Sequence, residues 1–275
     1  MGVFFAMAAF HQLLIDKPAG IDGTLAQYLN GLSLAGLAAW GYTQFFAPSL
    51  RQRRFTLRDL ARHGSTAVLT LAPQSKPMRW RPGQFVFVRA PNAGLAEPHP
   101  FTIASAPHPD GSLRLAIKRL GDWTNHLPDH LGAGATVLVE GPYGRFNFRK
   151  GCKRQIWLAG GIGITPFLAW AESLKEADPY EIVLIWSVAS HEEAFAIDAL
   201  QAAAERNPNL RVHLAVTAEK GRLTADLLAA LVPFQIREAD LFFCGPNGLK
   251  DTILTGLKAK GLSPRRVHFE RFELR

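Results

Sequence analysis

Cysteine is scarce in this 275-residue chain: only Cys152 and Cys244 occur, far apart in sequence. That excludes a disulfide framework and any thiolate metal site with close ligand spacing, and it points to a reducing compartment. The nine histidines form no zinc pattern either. There is no internal repeat and no low-complexity tract. The apolar run Val3–Ile15 lacks a basic start and a clear cleavage site, so no signal peptide is expected. The net charge is +8, yet no basic stripe is interleaved with aromatics in a nucleic-acid motif, so nucleic acid is not expected as a partner.

What the chain does have is apolar material, with 48% hydrophobic residues, 18 Phe and 6 Trp, enough for two domains or one domain plus a membrane piece. Thr24–Phe46 runs for 23 residues without a charge, long enough at about 1.5 Å per residue to cross a hydrocarbon core of about 30 Å. Gly31, Gly36 and Gly41 would allow close helix packing there. Val3–Ile15 reads as part of a second membrane helix, joined through Asp16–Gly23. The basic run Arg51-Gln-Arg-Arg54 follows, and the positive-inside rule then places the rest of the chain in the cytoplasm, at the inner face of the membrane.

The pattern changes twice more. Short apolar or alternating runs at 67–71, 84–89, 101–104, 113–119 and 136–140 are separated by turn residues, which predicts a small antiparallel β-barrel. From Arg154, strands at 155–159, 182–187, 211–217 and 241–244 alternate with helices at 166–177, 194–205, 224–231 and 248–260. That rhythm predicts an α/β parallel sheet covered on both faces. The expected domains are therefore 1–50 (one or two membrane helices), 51–150 (barrel) and 151–275 (α/β).

Gly160-Gly-Ile-Gly-Ile-Thr-Pro166 lies at the junction of the first parallel strand and its helix. Gly160, Gly161 and Gly163 let the backbone bend and approach a ligand, Thr165 is expected to cap the helix, and Pro166 suits its first turn. A helix N-terminus so presented attracts a phosphate, against the plainer reading of a strand-to-helix turn.

Together with this turn, Pro82-Gly-Gln-Phe85, His99-Pro-Phe-Thr102-Ile-Ala-Ser105, Gly121-Asp-Trp-Thr124, Gly141-Pro-Tyr-Gly144, Cys244-Gly-Pro246 and Phe269-Glu-Arg-Phe272 resemble the ferredoxin–NADP reductase superfamily over residues 55–275. Within it the closest likeness is to the FAD/NAD(P)H half of ferric reductase and NADPH oxidase-type membrane flavocytochromes. The resemblance implies FAD held by His99, Pro100, Phe101, Thr102 and Ser105, with Phe101 against the flavin ring and Thr102 near its N5. Lys118, Gly121, Trp123 and Thr124 would hold the FAD phosphates. Gly160, Gly161, Gly163, Thr165, Pro166, Ser187, Arg222, Gly245 and Pro246 would hold the pyridine nucleotide. Cys244 would touch the nicotinamide, Phe272 would pack on the flavin, and Glu270 would take part in proton movements. The resemblance mainly favours NADPH, with NADH the alternative: no acid stands at the end of the second strand (Ser187), no Arg stands where NADPH users often have one, and Arg222 could reach a 2′-phosphate.

The same resemblance makes His11 a candidate haem ligand, but residues 1–46 hold no second His. The chain then reads as a truncated remnant or fragment, as a subunit that borrows haem-bearing helices, or as a reductase anchored by a hairpin. The expected activity is electron transfer from NAD(P)H through FAD to a one-electron acceptor: haem, then ferric iron or oxygen. The alternatives are a reductase for a soluble or partner-subunit redox protein, and a non-catalytic nucleotide-binding module.

Overall fold

The computed structural model describes residues 2–14, 23–46 and 51–270, in two compact units, Met1–Gln52 and Arg53–Arg275. In the first, α1 (Gly2–Leu14) packs on α2 (Gly23–Gly41), which runs into a π-helical turn, Tyr42–Phe46. The expected membrane span is not found: among the described residues no helix is long and apolar enough to cross a membrane. At 13 residues α1 reaches only about 20 Å. The chain from Thr24 to Phe46 is not one continuous α-helix, and it carries Gln27, Asn30, Thr43 and Gln44 together with small residues in place of large aliphatic ones. A Cβ added at Gly31 or Gly41 would meet nothing within 4 Å, so neither glycine serves close helix packing.

The second unit begins with an antiparallel sheet of β1 (Gln52–His63), β2 (Thr66–Pro73), β3 (Phe85–Ala90), β4 (Leu95–Thr102), β5 (Leu113–Lys118) and β6 (Thr136–Tyr143), in the order β4-β3-β6-β1-β2-β5. The edges β4 and β5 meet only through an isolated bridge between Ile103 and Leu115, so the expected barrel does not close into a continuous ladder. A helix, α3 (Asp122–His130), occupies the stretch expected to be a flavin loop.

Strand periodicity organises the packing. On β5, Leu113, Leu115 and Ile117 are buried in the core of this sheet with Val86, Val88 and Val139. The alternate residues face the other way: Ala116 is buried in the neighbouring core, and Arg114 and Lys118 pair with Glu172 and Glu193 of the α/β part.

That α/β part holds β7 (Arg154–Gly160), α4 (Thr165–Ser173), β8 (Glu181–Val188), α5 (Ile197–Arg206), β9 (Leu210–Val216), the single turn α6 (Thr217–Lys220), α7 (Ala225–Leu231), β10 (Asp240–Cys244), α8 (Asn247–Ala259) and β11 (Arg266–Glu270). The strands lie parallel in the order β11-β10-β7-β8-β9. Both sheet faces are covered: Trp157, Leu184, Trp186 and Phe242 fill one core, and Ile156, Leu158, Ile185 and Phe243 the other. This two-sided burial is why the strands read as apolar runs. The fifth strand, β11, is an addition to the four expected.

Candidate functional site

The carboxyl ends of β7 and β10 meet the end of β4 and the outer face of β5 at a cleft of about 410 Å³. The antiparallel sheet and its flank contribute Pro100, Phe101, Thr102, Ala116, Ile117, Lys118, Leu120 and Thr124. The α/β side contributes Gly160, Gly161, Ile162, Gly163, Thr165, Gly245, Pro246, Asn247 and Glu270. Open α/β sheets bind ligands at this edge.

On the first wall, Thr102 is buried and its Oγ1 has no hydrogen-bond partner. Phe101 stacks on Trp123, with ring centroids 5.5 Å apart and 30° between planes, and His99 lies 4.6 Å from the same indole. His99 Nε2 is 3.5 Å from Glu97 Oε2 and makes no hydrogen bond, and the buried Trp123 Nε1 also lacks a partner. A flat apolar face beside unpaired donors and acceptors suits a heteroaromatic ring system.

Two residues expected on this wall do other work. Ser105 is buried away from the cleft, where its Oγ accepts the Arg114 N–H (3.1 Å) and its carbonyl accepts the Trp80 Nε1–H (3.3 Å). The Thr124 hydroxyl accepts the N–H groups of Leu120 (2.9 Å) and Gly121 (3.0 Å), closing the start of α3. It therefore takes up the N–H of Gly121, one of the residues expected to hold the FAD phosphates.

On the second wall the glycines serve two separate purposes. A Cβ on Gly163 would stand 2.2 Å from the Cys244 carbonyl oxygen, and one on Gly160 would stand 2.8 Å from Pro246 Cδ. These two glycines let the turns after β7 and β10 lie back to back. Gly161 faces open space and is needed for its φ of +52°. Thr165 does not cap α4: it is the first residue of the helix, in αR geometry, after a 3₁₀ turn, Gly161–Ile164. Pro166 does sit in the first turn, buried.

Cys244 is fully buried at the end of β10, where burial and the nearby Glu270 push its thiol well above the ordinary range. Burial also raises the Glu270 carboxyl to about 7, and its Oε2 has no partner. Ser187 and Arg222 do not line the cleft. Phe272 lies outside the described residues. His11 is exposed on α1, and no cluster of three potential metal ligands exists among the described residues.

Sequence reasoning missed Asn247, which opens α8 in the cleft wall, although a helix start after Gly245-Pro246 was a usable signal. It also missed Glu193, whose carboxylate holds Lys118 Nζ at 2.6 Å.

The buried, unpaired Thr102 hydroxyl, the half-buried Glu270 with its unpaired Oε2 and the open backbone at Gly161 fit FAD on one wall and a pyridine nucleotide on the other. Comparison with known proteins agrees. Residues 55–147 match the family described as FAD-binding domain, and residues 157–254 match that described as Oxidoreductase NAD-binding domain. The chain is 31% identical over 198 residues to the 3-ketosteroid-9-alpha-monooxygenase ferredoxin reductase component of Rhodococcus rhodochrous, spanning 70% of this chain and 56% of that protein. It is 27% identical over 220 residues to the toluate 1,2-dioxygenase electron transfer component of Pseudomonas putida, spanning 76% and 63%. It thus spans about three-fifths of these relatives' length. A ferredoxin NADP+ reductase from Neisseria gonorrhoeae with bound FAD and NADP shares the fold, with TM-score 0.68, 18% identity, and coverage of 80% of this chain and 98% of that one. With that geometry and these matches, residues 55–147 form an FAD-binding domain and residues 157–254 an oxidoreductase NAD-binding domain.

Proposed function

We propose that the chain is an electron-transfer reductase module that takes hydride from a reduced pyridine nucleotide onto FAD and passes single electrons to a separate redox protein. One observation carries this reading: a single cleft joins the Phe101–Thr102 strand end to the glycine turns after β7 and β10. Bound FAD supplies the conversion from two-electron to one-electron chemistry. The chain supplies alignment and exclusion of water. Phe101, backed by Trp123, gives the ring an apolar wall, and the Thr102 hydroxyl offers it a hydrogen bond. Gly161 lets the nucleotide approach the backbone closely. Cys244 stays a neutral thiol because it is buried, and Glu270 holds a proton at its carboxyl up to about pH 7.

The acceptor side is supported by charge. Gln84 ties the Arg81 N–H (2.8 Å) to the Gly144 carbonyl (3.3 Å), which brings the exposed Arg81 toward the exposed Arg145, a neighbour of Glu270. An acidic redox protein fits these cations. The relatives named as reductase and electron transfer components of oxygenases point the same way. The test is an anaerobic spectrum of the FAD-loaded chain: reduced nucleotide should bleach the flavin band, and an acidic ferredoxin should restore it. A chain that binds no FAD, or whose flavin does not bleach, contradicts the reading.

A second reading puts the chain at the inner face of the cytoplasmic membrane, with haem, ferric iron or oxygen beyond the flavin. One observation favours attachment: Met7, Phe10, Leu14, Leu32 and Leu34 of the N-terminal helices are exposed and call for an apolar cover. Vesicle flotation separates the two, since an attached chain floats with lipid and a detached one stays below.

A further inference from the structure

We infer that this chain selects NADH over NADPH, and that Glu193 is the residue that discriminates. The inference rests on reading the second wall of the cleft as the pyridine-nucleotide site. A dinucleotide whose pyrophosphate lies on the turn after the first parallel strand extends its adenosine ribose over the end of the second. An acid there accepts the ribose 2′-hydroxyl and repels a 2′-phosphate.

The sequence shows no acid at the end of β8, but the fold brings one back. After Val188 the chain turns through a 3₁₀ segment, His191–Glu193, and Glu193 Oε2 accepts the Ala189 N–H at 3.3 Å. The carboxylate therefore sits at the strand end although it lies five residues later in the chain. It is also held as an anion: the hydrogen bond from Lys118, opposed by burial and helped by the Ala189 N–H, keeps Glu193 below the usual carboxylate range. The turn is anchored to the glycine motif, because Trp186 of β8 donates its Nε1–H to the Gly161 carbonyl at 2.9 Å.

Lys118 is the cation that could favour a 2′-phosphate, and it is already engaged. Its Nζ lies 2.6 Å from Glu193 Oε1, with both side chains about three-quarters buried. A ribose diol can donate to Glu193 with this ion pair intact. A 2′-phosphate would have to displace the carboxylate and stand beside it, adding like charge in a half-buried place. A second acid reinforces the sign of the edge: Glu219 of α6 pairs with His191 at 2.7 Å, and the Ala218 N–H binds the Ala189 carbonyl. Of these residues Lys118 lines the cleft, while neither Glu193 nor Arg222, the other candidate cation, does.

The test uses the FAD-loaded full chain in two ways. Calorimetric titration with 5′-AMP and with adenosine 2′,5′-bisphosphate reads the ribose subsite without turnover. The expected result is at least tenfold tighter binding of 5′-AMP, with the gap closing about tenfold in Glu193→Gln. Ferricyanide reduction should show the same pattern, with the NADH-to-NADPH ratio of kcat/KM falling about tenfold in Glu193→Gln. Glu192→Gln, which alters an exposed neighbouring acid, should leave both ratios within twofold of the parent. Preference for the 2′-phosphorylated ligand in the parent, or an unchanged ratio in Glu193→Gln, overturns the inference. If neither nucleotide reduces the flavin, the reductase reading fails, and the titration still decides the role of Glu193.

Discussion

Cys244 and Glu270 are register partners at the carboxyl ends of the adjacent parallel strands β10 and β11. The pairing places a buried thiol beside a half-buried carboxyl at the carboxyl edge of the parallel sheet. Burial drives both toward their neutral forms, and the Glu270 carboxylate raises the Cys244 thiol further. The site therefore holds protons rather than charge.

That arrangement has a measurable signature in stability. Glu270 releases its proton near 4.5 in its ordinary state and at about 7 in the folded chain. Between those values the folded state holds a proton that the unfolded state has lost, so stability falls as pH rises through this window and levels off above it. The loss is at most about 3 kcal/mol. Urea melts of the cofactor-free chain from pH 4.5 to 8 should show this slope, and Glu270→Gln should flatten it.

Gly163 and Gly161 should respond very differently to alanine. At Gly163 the new methyl would stand 2.2 Å from the Cys244 carbonyl oxygen, and neither backbone can yield cheaply. A loss of about 3 kcal/mol or more is expected. At Gly161 the methyl meets nothing within 4 Å and the only cost is the φ of +52°, about 1–2 kcal/mol. Urea midpoints of the two variants check the order.

Thr102→Val should separate folding from binding. The buried hydroxyl has no partner in the chain, so replacing it with a methyl removes a desolvation cost and should stabilise the cofactor-free protein by about 1 kcal/mol. FAD loses a hydrogen bond, and its affinity should fall roughly fivefold to tenfold by flavin-fluorescence titration. A variant equal to the parent in both respects would show that the hydroxyl does not face the ring.

Much of this architecture is legible in the chain, for physical reasons that also explain what is not. The strands of the parallel sheet are covered on both faces, so 156–159, 182–186 and 241–243 stand out as apolar runs. β1 does not, because Arg53, Arg54, Arg58 and Arg62 stand exposed or half-exposed along it and a register shift between Leu57 and Asp59 breaks its alternation. β11 is an edge strand of half-exposed residues, read only as the motif around Glu270. Phe101, Thr102, Gly161 and Glu270, which line the cleft, could be named in advance through the motifs that carry the family resemblance. Glu193 could not, because its place at the end of β8 depends on a three-residue 3₁₀ turn.

Asp240 anchors the far end of β10. It is fully buried and accepts hydrogen bonds from Arg265 (2.9 Å), His268 (3.2 Å) and the Cys152 N–H (3.1 Å). Burial alone would raise its carboxyl, but these partners outweigh burial and hold it below the ordinary range. Its stabilisation is present above the unfolded carboxylate value and is lost as pH falls through the lower folded one. Asp240→Asn should cost about 2–3 kcal/mol at pH 7, discounted for the half-exposed Arg265, and less in acid. Thermal melts at pH 7 and pH 4 check both statements.

The proposed reductase rests on one cleft that brings a pyridine nucleotide to FAD. Anaerobic stopped-flow of the FAD-loaded chain at 450 nm, mixed with NADH, tests it directly (the wavelength being about that of the oxidised flavin band). Rapid single-turnover bleaching is expected, with a rate at least tenfold lower in Thr102→Val. A chain that holds FAD yet stays oxidised with both NADH and NADPH would contradict it.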